Sequence, residues 1–238
     1  MNEKPDYKCS ICKDFHFLHP READGSIDYT RTVVCRCVKE SWEEDKKRNI
    51  MRYCELPPRA KYMTFENFKN PRNNPDIADA YAACLAAAEG TSEDLWITMA
   101  SGPGRGKTHL AVAVCNYRLS QGKLAKYTYV PLLMKELKDG FSETGDGSYK
   151  NRYDTFLNVP LLVMDDLGTE NPTRFVQEHL DTIFDYRLMH NLPMVITTNC
   201  QGKELPFRIL SRLKRGGKII TIDAPEFKYK RLKDESEN

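Results

Sequence analysis

Residues 101–108 read Ser101-Gly102-Pro103-Gly104-Arg105-Gly106-Lys107-Thr108, and this stretch decides the fold. It follows an apolar run at 95–100 (LWITMA) and opens a helical pattern at 107–121 that Gly122 stops. A glycine-rich turn between a strand and a helix points its backbone amides inward onto phosphate oxygens, and the helix N-terminus adds positive potential there. Lys107 then reaches the outer phosphates, and the Thr108 hydroxyl holds Mg2+. Ser101 stands where the G-x4-G-K-(S/T) pattern has its first Gly, a position that mainly shapes the loop entry. A glycine-rich turn of purely structural origin would not need Gly-Lys-Thr opening a helix. The nucleotide-binding candidates are therefore Gly102, Pro103, Gly104, Arg105, Gly106, Lys107 and Thr108, with His109 beside them.

Outward from this loop, strands and helices alternate. Asn74-Pro75 starts a helix over 75–89 that Gly90 ends. Strands are expected at 95–100, 125–130, 160–165, 194–198 and 218–222, and helices at 107–121, 131–138 and 173–191. The segment 139–150 (DGFSETGDGSYK) holds three glycines and reads as a mobile loop. Such alternation implies α/β architecture, a parallel sheet covered on both faces.

The third strand, Leu161-Leu162-Val163-Met164-Asp165-Asp166, delivers acids to the sheet edge where the phosphate loop lies. Asp165 is placed to hold Mg2+, directly or through water, and Asp166 to orient or deprotonate an attacking water. An acidic pair after a strand is often only a cap or turn; its order after the loop makes it specific. Asn199, ending the fourth strand, projects at the same edge to polarise that water or sense the last phosphate. Arg208 and Arg212 lie four apart on one helix face, and either can reach a phosphate on a neighbouring subunit. An exposed basic helix is the plain alternative, since residues 203–218 hold six cations and one acid.

Eight cysteines divide into two groups. Cys9-x2-Cys12 and Cys35-x-Cys37 form two close pairs around the turn Asp24-Gly25-Ser26, the pattern of a hairpin closed by four thiolates on a structural zinc. His16 and His19 are rival ligands, but four cysteines already complete the shell; unliganded thiols or a redox Cys-x2-Cys are the plain alternative. Cys54, Cys84, Cys115 and Cys200 are scattered and read as small core residues. A charged helix over 38–52 leaves the cysteine module, and Pro57-Pro58 ends it. The division expected is a zinc module with its connecting helix at 1–55 and a nucleotide-binding domain at 56–238.

The 238 residues carry 36 basic and 34 acidic side chains, so net charge says little about partners. No run approaches the ~18 apolar residues of a membrane span, and no secretory signal opens the chain. The expectation is a cytoplasmic protein in a reducing compartment, without disulfides and without a membrane partner.

Together these residues resemble the DnaC/IstB-like branch of the AAA+ ATPases. The marks are Pro57-Pro58-Arg59 with Thr64-Phe65-Glu66-Asn67-Phe68, then GKTHLA at 106–111, LLVMDDLG at 161–168, ITTN at 196–199 and SRL at 211–213. The four N-terminal cysteines are similar to those of helicase loaders from Gram-positive bacteria and their phages. The resemblance implies a five-stranded parallel sheet of order 5-1-4-3-2 and the cofactors ATP and Mg2+. It makes Lys107 and Thr108 the Walker A pair and Asp165 and Asp166 the Walker B pair. Asp166 stands where many AAA+ proteins carry Glu, which implies slow hydrolysis. Asn199 matches sensor 1 and Arg212 the arginine finger. The family's sensor 2 arginine follows the last strand, where this chain has Lys228, with Lys230 and Arg231 close by. The function implied is loading of a replicative DNA helicase onto single-stranded DNA, switched by ATP hydrolysis between self-associated subunits. The DNA-contacting segment would be 131–159, through Lys135, Lys138, Lys150, Arg152, Phe141, Tyr149 and Tyr153. The alternatives are a transposition-helper ATPase and a non-hydrolysing ATP-binding adaptor.

Overall fold

The computed structural model describes residues 7–70, 73–142, 148–169, 173–200 and 204–227, apart from the side chains at 47, 136, 138–142 and 148–152. The chain divides into two compact units, Met1–Asn49 and Ile50–Asn238.

In the first unit, β1 (Phe17–Leu18) pairs antiparallel with β2 (Val33–Val34), and Arg21 bridges Ile27. The turn forms at the expected residues: Gly25 takes φ +86°, and Asp24 Oδ1 accepts from Ser26 N at 2.9 Å. Among the described residues of this unit only Cys12 and Cys35 are buried. Two-residue strands bury almost nothing, so the thiols stand where a larger unit would have an apolar core. Helix α1 (Lys39–Cys54) follows, and its last residues belong to the second unit, where Ile50 and Cys54 are buried.

The second unit is a five-stranded sheet with all neighbours parallel. Its strands are β3 (Trp96–Ala100), β4 (Lys126–Tyr129), β5 (Leu162–Leu167), β6 (Met194–Thr198) and β7 (Gly217–Thr221), in spatial order β4-β5-β6-β3-β7. Counted within this sheet alone, that is the order 5-1-4-3-2. Period-two alternation sorts the side chains. Ile97, Met99, Leu161, Val163 and Val195 join a cluster with α2 (Pro75–Glu89) and α3 (Lys107–Ser120). Trp96, Leu162, Met164, Met194 and Ile196 face the opposite cluster. That second layer holds α4 (Val130–Ser142), α5 (Ser148–Asn158), α6 (Arg174–Met189) and α7 (Phe207–Gly216). Asn74 caps α2 by accepting from Ile77 N at 3.0 Å, and Gly90 ends it at φ +86°.

Two expectations change. The segment 139–150 is helical at both ends, because α4 runs on to Ser142 and α5 begins at Ser148. Val130, Leu133, Met134 and Leu137 repeat at helical spacing into the second cluster, and this burial carries α4 through Gly140. Phe156 and Leu157 of α5 pack into the same cluster. Residues 143–147 of the expected loop lie outside the described residues. The third strand also does not stop at Asp165 but continues to Leu167.

Arg187 on α6 is fully buried, and its guanidinium donates to the carbonyls of Phe156 (2.9 Å), Leu157 (3.1 Å), Val159 (3.0 Å) and Pro193 (2.8 Å). It ties the end of α5 to the start of β6, and no sequence pattern announces it.

Candidate nucleotide site and cysteine cluster

The phosphate loop leaves β3 and enters α3 at the C-terminal edge of the sheet. Gly104 (φ +68°) and Gly106 (φ +86°) both take left-handed backbone, open to glycine at low cost. A side chain at Gly106 would also meet Phe68, whose Cε2 lies 2.9 Å from a Cβ built there. The loop forms one wall of a cleft of about 260 Å³ lined by Pro103, Gly104, Lys107, Thr108, Asp165, Asp166 and Asn199, among others.

Lys107 is buried, and its Nζ donates to Ser101 O (2.9 Å), Ser101 Oγ (3.0 Å), Gly102 O (2.9 Å) and Asn199 Oδ1 (2.9 Å). Ser101 is thus more than a loop entry, since its hydroxyl holds the lysine. Burial draws the Lys107 ammonium down to about 8, against the pull of Asp166 and Asp165.

Asp165 is buried, and three hydroxyls donate to its carboxylate: Thr108 Oγ1 (3.1 Å) and Thr197 Oγ1 (2.6 Å) to Oδ1, and Tyr127 OH (2.8 Å) to Oδ2. Adjacent residues in a regular strand face opposite sides of the sheet, so two neighbouring acids would not normally share a cleft. A bulge resolves this. Met164 pairs with Ile196 but Leu167 with Thr198, so β5 fits one extra residue, and Asp166 adopts φ +65°. Beyond it the alternation is reversed: Leu167 joins the cluster that holds Leu162 and Met164. Thr197 Oγ1 fastens the bulge by accepting from Asp166 N at 2.9 Å while donating to Asp165. Asn199 then joins the two halves of the site, since Oδ1 accepts from Lys107 and Nδ2 donates to Asp166 Oδ1 at 2.5 Å. Tyr129 OH reaches Asp166 Oδ2 at 3.3 Å from β4. Nothing in the chain's spacing assigns these contacts to the two tyrosines or to Thr197, because they depend on strand order.

Such a set of groups suits a nucleoside triphosphate with its divalent cation. It offers a glycine-rich nest, an ammonium, a hydroxyl beside a carboxylate and a second acid.

The other candidates sit differently. His109 lines the cleft, but its Nε2 is bonded to Thr64 O at 2.9 Å and its ring meets Phe68 edge-on at 5.2 Å. It fixes the segment 64–68 against α3. Arg105 lines the cleft, and its Nε donates to Ala224 O at 2.5 Å. Gly102 presents its carbonyl to Lys107. Arg212 is held within its own chain, by Asp185 at 2.6 Å through Nε and 2.7 Å through Nη2, and by Asp181 at 2.8 Å. Its side chain is 16% exposed, against 81% for Arg208. Lys228, Lys230 and Arg231 lie outside the described residues, as do the side chains of Lys138, Phe141, Tyr149, Lys150 and Arg152. Lys135 is exposed, while Tyr153 packs beside the second cluster and donates to His179 O at 3.3 Å.

The family described as IstB-like ATP binding protein matches residues 18–207, most of the chain and the whole of this cleft. The chain belongs to that family. Within the wider AAA+ group, it is similar to the "Replicative helicase loader DnaC" of Escherichia coli K12, 32% identical over 124 residues, half of each chain. It thus spans about half the length of the curated relatives it matches. Among solved structures it resembles DnaI, with a TM-score of 0.56 and 25% identity over 72% of this chain and 94% of that one. It also shares a fold with AMPPCP-bound DnaA from Aquifex aeolicus, at a TM-score of 0.61 and 21% identity over 71% of this chain and 51% of that one.

This IstB-like chain also brings its four N-terminal cysteines together. The sulfurs of Cys9, Cys12, Cys35 and Cys37 all lie within 4.8 Å of one another. Cys9 Sγ stands 3.8 Å from Cys35 Sγ, and Cys12 Sγ 3.6 Å from Cys37 Sγ. A tetrahedron with metal–sulfur bonds of about 2.3 Å has edges of about 3.8 Å, so the four thiols fit one tetrahedral cation. Backbone N–H groups of Cys12 and Ile11 hold the Cys9 thiol down to about 6, whereas burial and the other three thiols push Cys37 up to about 12, so a cation would have to displace a proton there. Among the scattered cysteines, Cys54, Cys84 and Cys115 are fully buried and Cys200 partly so. No helix of the described residues is long and apolar enough to cross a membrane.

Proposed function

We propose that this protein is an ATP-dependent helicase loader of the replication apparatus. The observation that carries the reading is the convergence of Lys107, Thr108, Asp165, Asp166 and Asn199 on one cleft, in a chain similar to a replicative helicase loader. Mg-ATP supplies the phosphoryl bond whose cleavage drives the switch. Lys107 neutralises phosphate charge, Thr108 and Asp165 hold the divalent cation, Asp166 takes the proton of the attacking water, and Asn199 fixes that water and reports the last phosphate. Gly104 and Gly106 give the loop its shape, and His109 secures the segment beside it. The shorter reach of Asp166 compared with Glu makes hydrolysis slow. Lys228 is offered as the contact that follows the last strand. Arg212 acts in trans on a neighbouring subunit only by leaving Asp181 and Asp185, which makes subunit association itself the trigger.

The partners proposed are the replicative DNA helicase, single-stranded DNA and further copies of this chain, in the cytoplasm. The four cysteines hold zinc in a module of about 55 residues, and their pattern is similar to that of the loaders of Gram-positive bacteria and their phages. The name of the matching family keeps a second reading open, a transposition-helper ATPase.

The test is a loading assay on single-stranded DNA with Lys107→Ala. Losing one preorganised cation removes on the order of 10²–10³ in turnover, so ATP-dependent loading should cease. Normal loading by the variant rejects the switch. Failure to bind the replicative helicase, together with stimulation of a transposase, selects the second reading.

A further inference from the structure

We infer that Tyr127 is a positioning residue for Asp165, and that it sets how well the cleft takes a divalent cation. The inference rests on the nucleotide-site reading above and concerns a residue outside the lining of the cleft.

Tyr127 lies on β4, opposite Val163 of β5, and is buried in the cluster beneath α3. Its ring is packed among apolar neighbours, yet its hydroxyl emerges at Asp165 Oδ2, 2.8 Å away. The cleft is lined by Asp165 but not by Tyr127, so the hydroxyl reaches the carboxylate from behind. On the other oxygen, Thr197 donates at 2.6 Å and Thr108 at 3.1 Å. Of these three donors, Thr108 belongs to the phosphate loop helix and is itself a cation ligand on the proposed reading. Among the described residues, only Tyr127 and Thr197 tie the carboxylate to the sheet. Thr197 also secures the Asp166 bulge, so only Tyr127 acts on Asp165 and nothing else in the site. Burial and the neighbouring carboxylate push the Tyr127 hydroxyl above its ordinary range.

A buried carboxylate oxygen robbed of its donor is left unsatisfied, and the group is free to turn. Such a turn weakens its hold on a divalent cation. Partners standing behind a metal-side carboxylate are typically worth 10–100-fold in metal affinity or activity.

Tyr127→Phe removes the hydroxyl and keeps the ring. The measurement is the Mg2+ concentration for half-maximal binding of ATP to the full-length protein, with ATP binding in EDTA and thermal melting followed in parallel. The expected result is about a tenfold higher Mg2+ requirement, with binding in EDTA unchanged whatever the melting temperature does. The same substitution in an Asp165→Asn background should change the Mg2+ requirement less than about twofold, because the group it acts through is gone. An unchanged requirement in Tyr127→Phe overturns the inference, and so does an equal increment in both backgrounds, which marks a packing effect alone. If the unsubstituted protein binds no ATP at all, the nucleotide-site reading falls and takes this inference with it; ATP binding with no Mg2+ dependence overturns the inference alone.

Discussion

At the scale of single residues, the site works by satisfying buried polar groups with one another. Lys107 is shared among two carbonyls, a serine hydroxyl and Asn199, yet its burial still lowers it to about 8. A bound polyphosphate favours the charged ammonium and raises that value again. Binding must therefore take up a proton wherever the free lysine is partly neutral. Calorimetry in buffers of differing ionisation enthalpy should show proton uptake at pH 8.5 and almost none from this group at pH 6.5, with affinity falling as pH rises through about 8. Lys107→Arg, whose charge does not titrate, should remove the difference. Much of this residue chemistry was legible in advance. Gly-Lys-Thr after an apolar run and two acids after another are local patterns, and the structure brings all of them to one cleft. Ser101, Tyr127, Tyr129 and Thr197 were not legible, because a hydroxyl on a strand says nothing of which strand lies beside it.

At the scale of elements, burial overrides local punctuation. The glycines of 139–150 read as a loop, yet helical spacing of Val130, Leu133, Met134 and Leu137 carries α4 to Ser142. The acid-bearing strand reads as ending at Asp165, yet a bulge lets it continue while both acids stay on one side. The helix pair α6 and α7 shows the same lesson for charge. Arg208 and Arg212 look equivalent as a basic face, but Arg212 makes a two-pronged contact with Asp185 plus a bond to Asp181, which holds the Asp185 carboxyl below its usual range. Arg212→Ala should cost more than the ~1 kcal/mol ceiling of an exposed pair, because its partners lose a partly buried cation. Arg208→Ala should change stability by less than about 0.5 kcal/mol. Urea denaturation compares the two. Equal losses would mean that the Arg212 pairings do not hold α7 to α6.

At the scale of the whole molecule, two units stabilise themselves by different means. Ile50–Asn238 has a sheet buried on both faces by two apolar clusters, whereas the described part of Met1–Asn49 buries only Cys12 and Cys35. Met1–Asn49 should depend on its cation and Ile50–Asn238 should not. Elemental analysis should find about one zinc per chain, lost with Cys35→Ser. A chelator should abolish the structure of the first unit, seen as new proteolytic cleavage before residue 50, and leave the melting transition of the second in place. Metal-free protein with an intact first unit would refute the zinc assignment.

The sequence by itself determined the alternating elements, the loop, the acids, the four thiols and, through their resemblance to known chains, the strand order. These are local signals, fixed by spacing, apolar period and the backbone freedom of glycine. Only the tertiary structure decided which donors meet Asp165, how Asp166 turns into the cleft, that Arg187 is sealed among carbonyls, and that Arg212 is held close by two acids while Arg208 stays exposed at the edge of Asp181. Each of those depends on residues from separate strands or helices meeting across a shared core. Chain spacing carries no information about such meetings until the sheet has set its neighbours and its register.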